Sequence, residues 1–90
     1  HMHTLGTHMR VWVGTNEPFF DGDYFFDDQR LHPLQPMVTV TPGQRINIQC
    51  TYYNDTGRTY RFGESSDDEM CYAGLYFYPP IAGAPVTCTQ

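Results

Sequence analysis

Residues 64–78 read ESSDDEMCYAGLYFY, and the change of character inside this stretch sets the reading of the whole chain. Residues 64–69 are polar and mostly acidic. Residues 71–78 are aromatic and apolar without a charge, and Met70 sits at the junction. An uninterrupted aromatic run of this length predicts a buried β-strand. Side chains alternate along a strand, so Cys71, Ala73, Leu75 and Phe77 share the face expected to enter the core. Met70, Tyr72, Gly74, Tyr76 and Tyr78 share the other face. A methionine there has two readings: an adaptable hydrophobe filling a gap beneath a loop, or a soft thioether ligand for copper(I).

Upstream, residues 44–53 alternate. Ile46, Ile48, Cys50 and Tyr52 lie on one face and Arg45, Asn47, Gln49 and Thr51 on the other, the pattern of a half-buried antiparallel strand. Asn54-Asp55-Thr56-Gly57 closes a hairpin and residues 58–62 return. Asn54-Asp55-Thr56 is also an N-glycosylation sequon. Before this pair, Pro42-Gly43 marks a turn that follows a short strand over 37–41, with Val38 and Val40 on one side. Residues 28–36 contain Pro33 and Pro36 and are expected to be irregular, with His32 on the surface and without a role. Residues 23–27 predict a short aromatic strand, and residues 14–22 a loop with two turn signals. Residues 9–13 alternate and end at Gly14, with Gly6 marking a bulge. The tail from Pro79 reads as loop as far as residues 86–88. With six short strands, turn signals between them and no sustained helical period, the fold class is an all-β, antiparallel, jelly-roll-like β-sandwich.

His1 and His3 are two residues apart, so on a strand their imidazoles project from one face. Two nitrogen ligands on one rigid element begin a copper or zinc site. The same spacing also reads as a solvated strand face, and His1-Met2 as the scar of a cloning tag. His8 is a further candidate whose facing Gly6 leaves open.

Ninety residues make one domain. Ten acids against five bases give a net charge of −5, and there is no lysine, which excludes the basic footprint of a nucleic-acid binder. No apolar run approaches the ~18 residues of a membrane span. Three cysteines, Cys50, Cys71 and Cys88, point to an oxidising, secreted or extracytoplasmic setting, with one pair and one cysteine left over for a partner outside the chain. Cys50 and Cys71 both fall on core faces. A bond between them would add ~3 kcal/mol in the chain-entropy model. That would be a large share for a domain that buries only ~60–65% of its unfolded surface. The Asp67-Asp68-Glu69 cluster reads as a solvated turn ahead of a general acid or base.

Several short motifs occur in a fixed order: His1-Met2-His3 with Leu5-Gly6, Val40-Thr41-Pro42-Gly43, Cys50-Thr51-Tyr52, Asp68-Glu69-Met70-Cys71, Tyr76-Phe77-Tyr78-Pro79 and Thr87-Cys88-Thr89-Gln90. In this combination the chain resembles, over nearly its whole length, the second catalytic domain of the type II copper, ascorbate-dependent monooxygenases. That family includes peptidylglycine α-hydroxylating monooxygenase and dopamine β-monooxygenase.

The resemblance implies that His1, His3 and Met70 bind the catalytic copper, with no catalytic residue beyond these ligands. It implies a Cys50–Cys71 disulfide and a second one from Cys88 to a cysteine upstream of the chain. Residues 1–90 would then be a partial C-terminal domain lacking its first strands. The implied chemistry is hydroxylation of an aliphatic C–H bond of a small-molecule substrate with O2. Ascorbate is the reductant, and a second copper sits on a preceding domain of the same polypeptide, without which the chain is inactive. Tyr72 and Gly74 stand where peptide-hydroxylating members carry an Asn and a Tyr, and the Tyr-Phe-Tyr-Pro end is closer to the catecholamine-type members. The competing expectation is a β-sandwich module that binds copper or serves structure without catalysis.

Overall fold

The computed structural model describes residues 1–79. Three strands form one antiparallel sheet: β1 (Gly6–Val13), β2 (Phe20–Asp23) and β3 (Ile46–Tyr52), in the order β2-β1-β3. No helix occurs among the described residues, and the fold is an all-β, partial β-sandwich. β1 is central, paired with β2 along one edge and with β3 along the other. Met9, Val11 and Val13 are buried on its inner face, while His8, Arg10 and Trp12 lie half-buried on the other.

The register carries the inner face across to β3. Met9 lies opposite Cys50, Val11 opposite Ile48 and Val13 opposite Ile46. The expected β3 face is therefore the observed one, although Ile48 and Tyr52 remain partly exposed. The bulge expected at Gly6 is present as a shift between Gly6↔Tyr52 and His8↔Thr51. The Pro42-Gly43 turn forms as expected. Gln44 N–H donates to the Thr41 carbonyl at 3.1 Å, with Gly43 at φ +90°, a conformation only glycine adopts without strain.

The core is small. Met2, Met9 and Val11 are buried, and Phe19, Phe20, Tyr24, Ile46, Cys50 and Ala73 pack around them. Met2 is wholly buried and rests against the Gly6 backbone. A disulfide joins Cys50 to Cys71 across a separation of 21 residues, tying β3 to the stretch after Met70. Tyr24 O–H also donates to the Met2 carbonyl, which fixes the N-terminal segment from a second direction.

Several expected strands do not form. Residues 71–78 are irregular rather than a buried strand, with Tyr76 91% and Phe77 51% exposed. The alternation nevertheless survives in exposure: Leu75 and Phe77 are less exposed than Tyr76 and Tyr78. The run has the side-chain pattern of a strand but, among the described residues, no ladder of backbone partners. A strand without a neighbour leaves its amides to water. Only Tyr72 exchanges backbone hydrogen bonds, with His1. The aromatic strand expected at 23–27 is displaced to Phe20–Asp23, where β1 offers an edge, and a turn follows from Phe25 to Asp28. Residues 37–41 form no strand, and residues 58–62 reduce to one parallel bridge, Phe62↔Glu69. The loop-then-strand reading from Pro80 onward, and Cys88 with it, lies outside the described residues.

Two consequences are measurable. A Cβ on residue 6 would sit 2.6 Å from Met2 Cβ and 2.8 Å from its Sδ. Gly6→Ala is expected to lower stability by ~1–3 kcal/mol in urea unfolding, because the core must move to accept the methyl group. The second concerns His8, whose Nε2 lies 2.5 Å from Asp21 Oδ1 and whose Nδ1 lies 3.1 Å from Asp23 Oδ1. Hydrogen bonds to these two carboxylates raise its pKa. Its stabilising contribution is then complete below about 6.5, the unfolded value, and is lost as pH rises through the raised folded value. The stability difference between the native chain and His8→Gln is expected to shrink as pH increases from about 6.5. A difference that grew with pH would contradict the ion-pair assignment.

Candidate metal centre

The N-terminal segment and the segment around Met70 run side by side. His1 N–H donates to the Tyr72 carbonyl, and Tyr72 N–H returns to the His1 carbonyl at 2.9 Å. Such mutual exchange defines an antiparallel pair. The exchange stops there: His3 N–H and Met70 N–H both turn to the Glu69 carboxylate rather than to one another.

Glu69 locks this register. It is 8% exposed, and its carboxylate accepts three backbone N–H groups: His3 at 2.8 Å and Met70 at 3.0 Å on Oε1, and Leu5 at 2.8 Å on Oε2. A single oxygen thus holds the amides of both His3 and Met70. The Met70 carbonyl in turn accepts the Tyr52 hydroxyl at 2.8 Å. Burial first, and then the Glu69 charge, raise the pKa of that hydroxyl, so it remains a donor. The expected placement of Glu69 in a solvated turn is therefore corrected. Asp67 is exposed, but Glu69 is buried because the amides of another segment supply the hydrogen bonds its charge requires.

The two imidazoles are close, with ring centroids 5.1 Å apart at 74°. Their tautomers follow from their partners. His3 Nδ1 lies 3.0 Å from the Asp68 carbonyl, which only accepts, so Nδ1 carries the proton. His1 Nδ1 lies 2.6 Å from Gln29 Oε1. Gln29 Nε2 donates to the Phe26 carbonyl at 2.9 Å, which orients the amide so that its oxygen faces His1. Both histidines therefore hold a proton on Nδ1 and present a bare Nε2. Neither Nε2 has a hydrogen-bond partner among the described residues. His3 is 5% exposed, and its ring is flanked edge-on by Phe26.

This donor set fits a metal ion in one specific way. Metal–nitrogen bonds of about 2 Å suit two rings at this separation. Among the described residues no group of three or more His, Cys, Asp or Glu is placed to hold a metal. A thioether selects copper(I) over zinc; Met70 itself borders a shallow depression with Tyr52, Phe62 and Cys71, separate from the recess that His1 lines. His8 does not join this group: both its nitrogens face Asp21 and Asp23. His32 stacks near Phe20, with centroids 4.5 Å apart.

His1 also lines a recess of about 620 Å³, together with Phe19, Phe20, Tyr24 and Tyr72. Its wall is mainly apolar and aromatic, and Gly74 and Leu75 form part of its edge.

Over residues 1–90 the chain matches the family described as copper type II ascorbate-dependent monooxygenase, C-terminal domain. The chain belongs to this family. Its relatives include MOXD1 homolog 1 of Drosophila melanogaster, 29% identical over 90% of the chain and 12% of the relative. Tyramine beta-hydroxylase of Caenorhabditis briggsae is 38% identical over 57% of the chain and 9% of the relative. DBH-like monooxygenase protein 1 of Mus musculus is 30% identical over 69% of the chain and 10% of the relative. The chain thus spans about a tenth of the length of the relatives it matches. No solved structure matches it.

Within this copper monooxygenase domain, sequence reasoning overlooked Glu69 and Gln29. Nothing in their spacing signals a role, because both act on segments distant along the chain. Glu69→Ala is expected to leave three amides without their partner and to cost about 3 kcal/mol or more in urea unfolding. Glu69→Gln, which keeps one carbonyl oxygen, is expected to cost less. Equal stability of the alanine variant and the native chain would remove Glu69 as the anchor.

Proposed function

We propose that residues 1–90 form the domain carrying the catalytic copper of a monooxygenase that hydroxylates an aliphatic C–H bond, with O2 as oxidant and ascorbate as reductant. The observation that carries the reading is the pair of bare Nε2 atoms on His1 and His3, their ring centroids 5.1 Å apart, in a chain of the copper monooxygenase family. His1, His3 and Met70 are the protein ligands of one copper ion. When bound, copper(I) supplies the centre at which O2 is reduced and C–H oxidation becomes possible.

The chain's own residues prepare that site. Asp68 and Gln29 hold the imidazole protons on Nδ1, so each Nε2 lone pair is free for the metal without a tautomer shift. Glu69 and Tyr52 fix the Met70 backbone from both sides. The apolar recess beside His1 takes the small-molecule substrate and brings a C–H bond to the metal side of the ring, where proximity lowers the barrier. Ascorbate would be the reductant, and a second copper held by a preceding domain of the same polypeptide would supply its electrons, so the isolated chain would not turn over. The Cys50–Cys71 disulfide supports a secreted or extracytoplasmic setting.

The test uses the full-length enzyme loaded with copper(I), with tyramine, the amine in the name of the nematode relative, as a first substrate. Met70→Ala is expected to lose copper–sulfur scattering in X-ray absorption and at least ~100-fold of its hydroxylation rate, more than replacing a group that only orients a ligand typically costs. His3→Ala is expected to lose the bound ion. Unchanged copper stoichiometry and activity in Met70→Ala would overturn the ligand set. Copper bound through Met70 without hydroxylation of any amine or glycine-extended peptide would favour the non-catalytic copper-binding module.

A further inference from the structure

The Asn54-Asp55-Thr56 sequence takes no part in the copper site, yet its side chains are highly ordered by one another. It follows the end of β3 in an exposed turn. Asn54 Oδ1 accepts the Thr56 N–H at 3.0 Å and the Thr56 hydroxyl at 2.7 Å. Asn54 Nδ2 donates one N–H to the Arg58 carbonyl at 2.8 Å. Thr56 Oγ1 accepts the Arg58 N–H at 3.1 Å. An amide nitrogen carries two N–H groups, so the second is left without a partner among the described residues.

We propose that Asn54 is an N-glycosylation site, modified by transfer of an oligosaccharide from a lipid-linked pyrophosphate donor. A C–N bond forms between Asn54 Nδ2 and the anomeric carbon of the first sugar. The bond from that carbon to the pyrophosphate oxygen breaks, the lipid pyrophosphate leaves, and Nδ2 gives up one proton. No oxidant or reductant takes part. The hydroxyl that the acceptor sequence requires is present on Thr56 and bonded to the acceptor amide. The finished linkage keeps one N–H on Nδ2, so the bond to Arg58 survives in the folded glycoprotein.

Two further observations favour this site. The Cys50–Cys71 disulfide belongs to the oxidising compartments through which glycosylated chains pass. The surface around Asn54 is also apolar without being covered: Tyr53 is 68% and Phe62 77% exposed, and Phe62 lines the same shallow depression as Asn54. A sugar attached at Asn54 shields that aromatic surface from association.

The test expresses the full chain through the secretory pathway of a eukaryotic host and follows the tryptic peptide spanning residues 46–58. Peptide N-glycosidase in heavy-oxygen water is expected to convert Asn54 to labelled Asp in the bulk of that peptide, with no label before treatment. The accompanying shift in electrophoretic mobility is expected to vanish in Thr56→Ala and to persist in Thr56→Ser. Recovery of residues 46–58 mainly with unmodified Asn54 overturns the proposal, as does a shift retained in Thr56→Ala. Should Thr56→Ala fail to be secreted, the label on the native peptide decides alone.

Discussion

A single buried carboxylate organises this molecule. Burying an ionisable group in so small a core is costly unless its oxygens are fully engaged. Glu69 meets that requirement with backbone amides from two segments, those of His3 and Leu5 near one end and its own neighbour Met70. Its main chain is held as well, since Glu69 N–H donates to the Arg61 carbonyl at 2.8 Å and its carbonyl accepts Gly63 N–H at 3.0 Å. Segments remote in sequence are thereby joined at one residue. The His1–Tyr72 exchange lies beside that junction.

The rest of the stabilisation is modest and divided. Three inward side chains of β1, the buried Met2 and a ring of partly covered aromatics form the apolar layer. The disulfide compensates for the thinness of this layer by linking β3 to the stretch beyond Met70, close to the carboxylate anchor. Glu69 and the disulfide therefore restrain the same short segment from opposite sides. Neither alone would set the orientation of Met70, since a disulfide leaves the backbone before it free to rotate and a carboxylate leaves the backbone after it free.

The two histidines are oriented by groups behind them. A carbonyl oxygen at Asp68 and a side-chain oxygen at Gln29 each select one imidazole tautomer. The Gln29 amide is itself oriented by the Phe26 carbonyl. These partners come from the acidic turn and from the loop after β2, so ligand readiness depends on loops rather than on the sheet.

Local patterning determined a good deal. Alternation in residues 9–13 and 46–52 identified two real strands and their inner faces, because period-two burial is a property of the strand itself. Pro42-Gly43 determined its turn, because the φ values of those residues are restricted or freed covalently. The spacing of His1 and His3, the Asp68-Glu69-Met70-Cys71 order and the three cysteines determined the family and the candidate ligands. Tertiary structure alone decided the rest. The aromatic run at 71–78 has strand composition but no backbone partner among the described residues, so no ladder forms. Residues 20–23 became a strand in place of 23–27 because the edge of β1 was available there. Glu69 was buried rather than solvated because amides some sixty-six positions away converge on it. Composition records what a residue prefers, whereas a hydrogen-bond partner from elsewhere in the chain decides whether that preference is met.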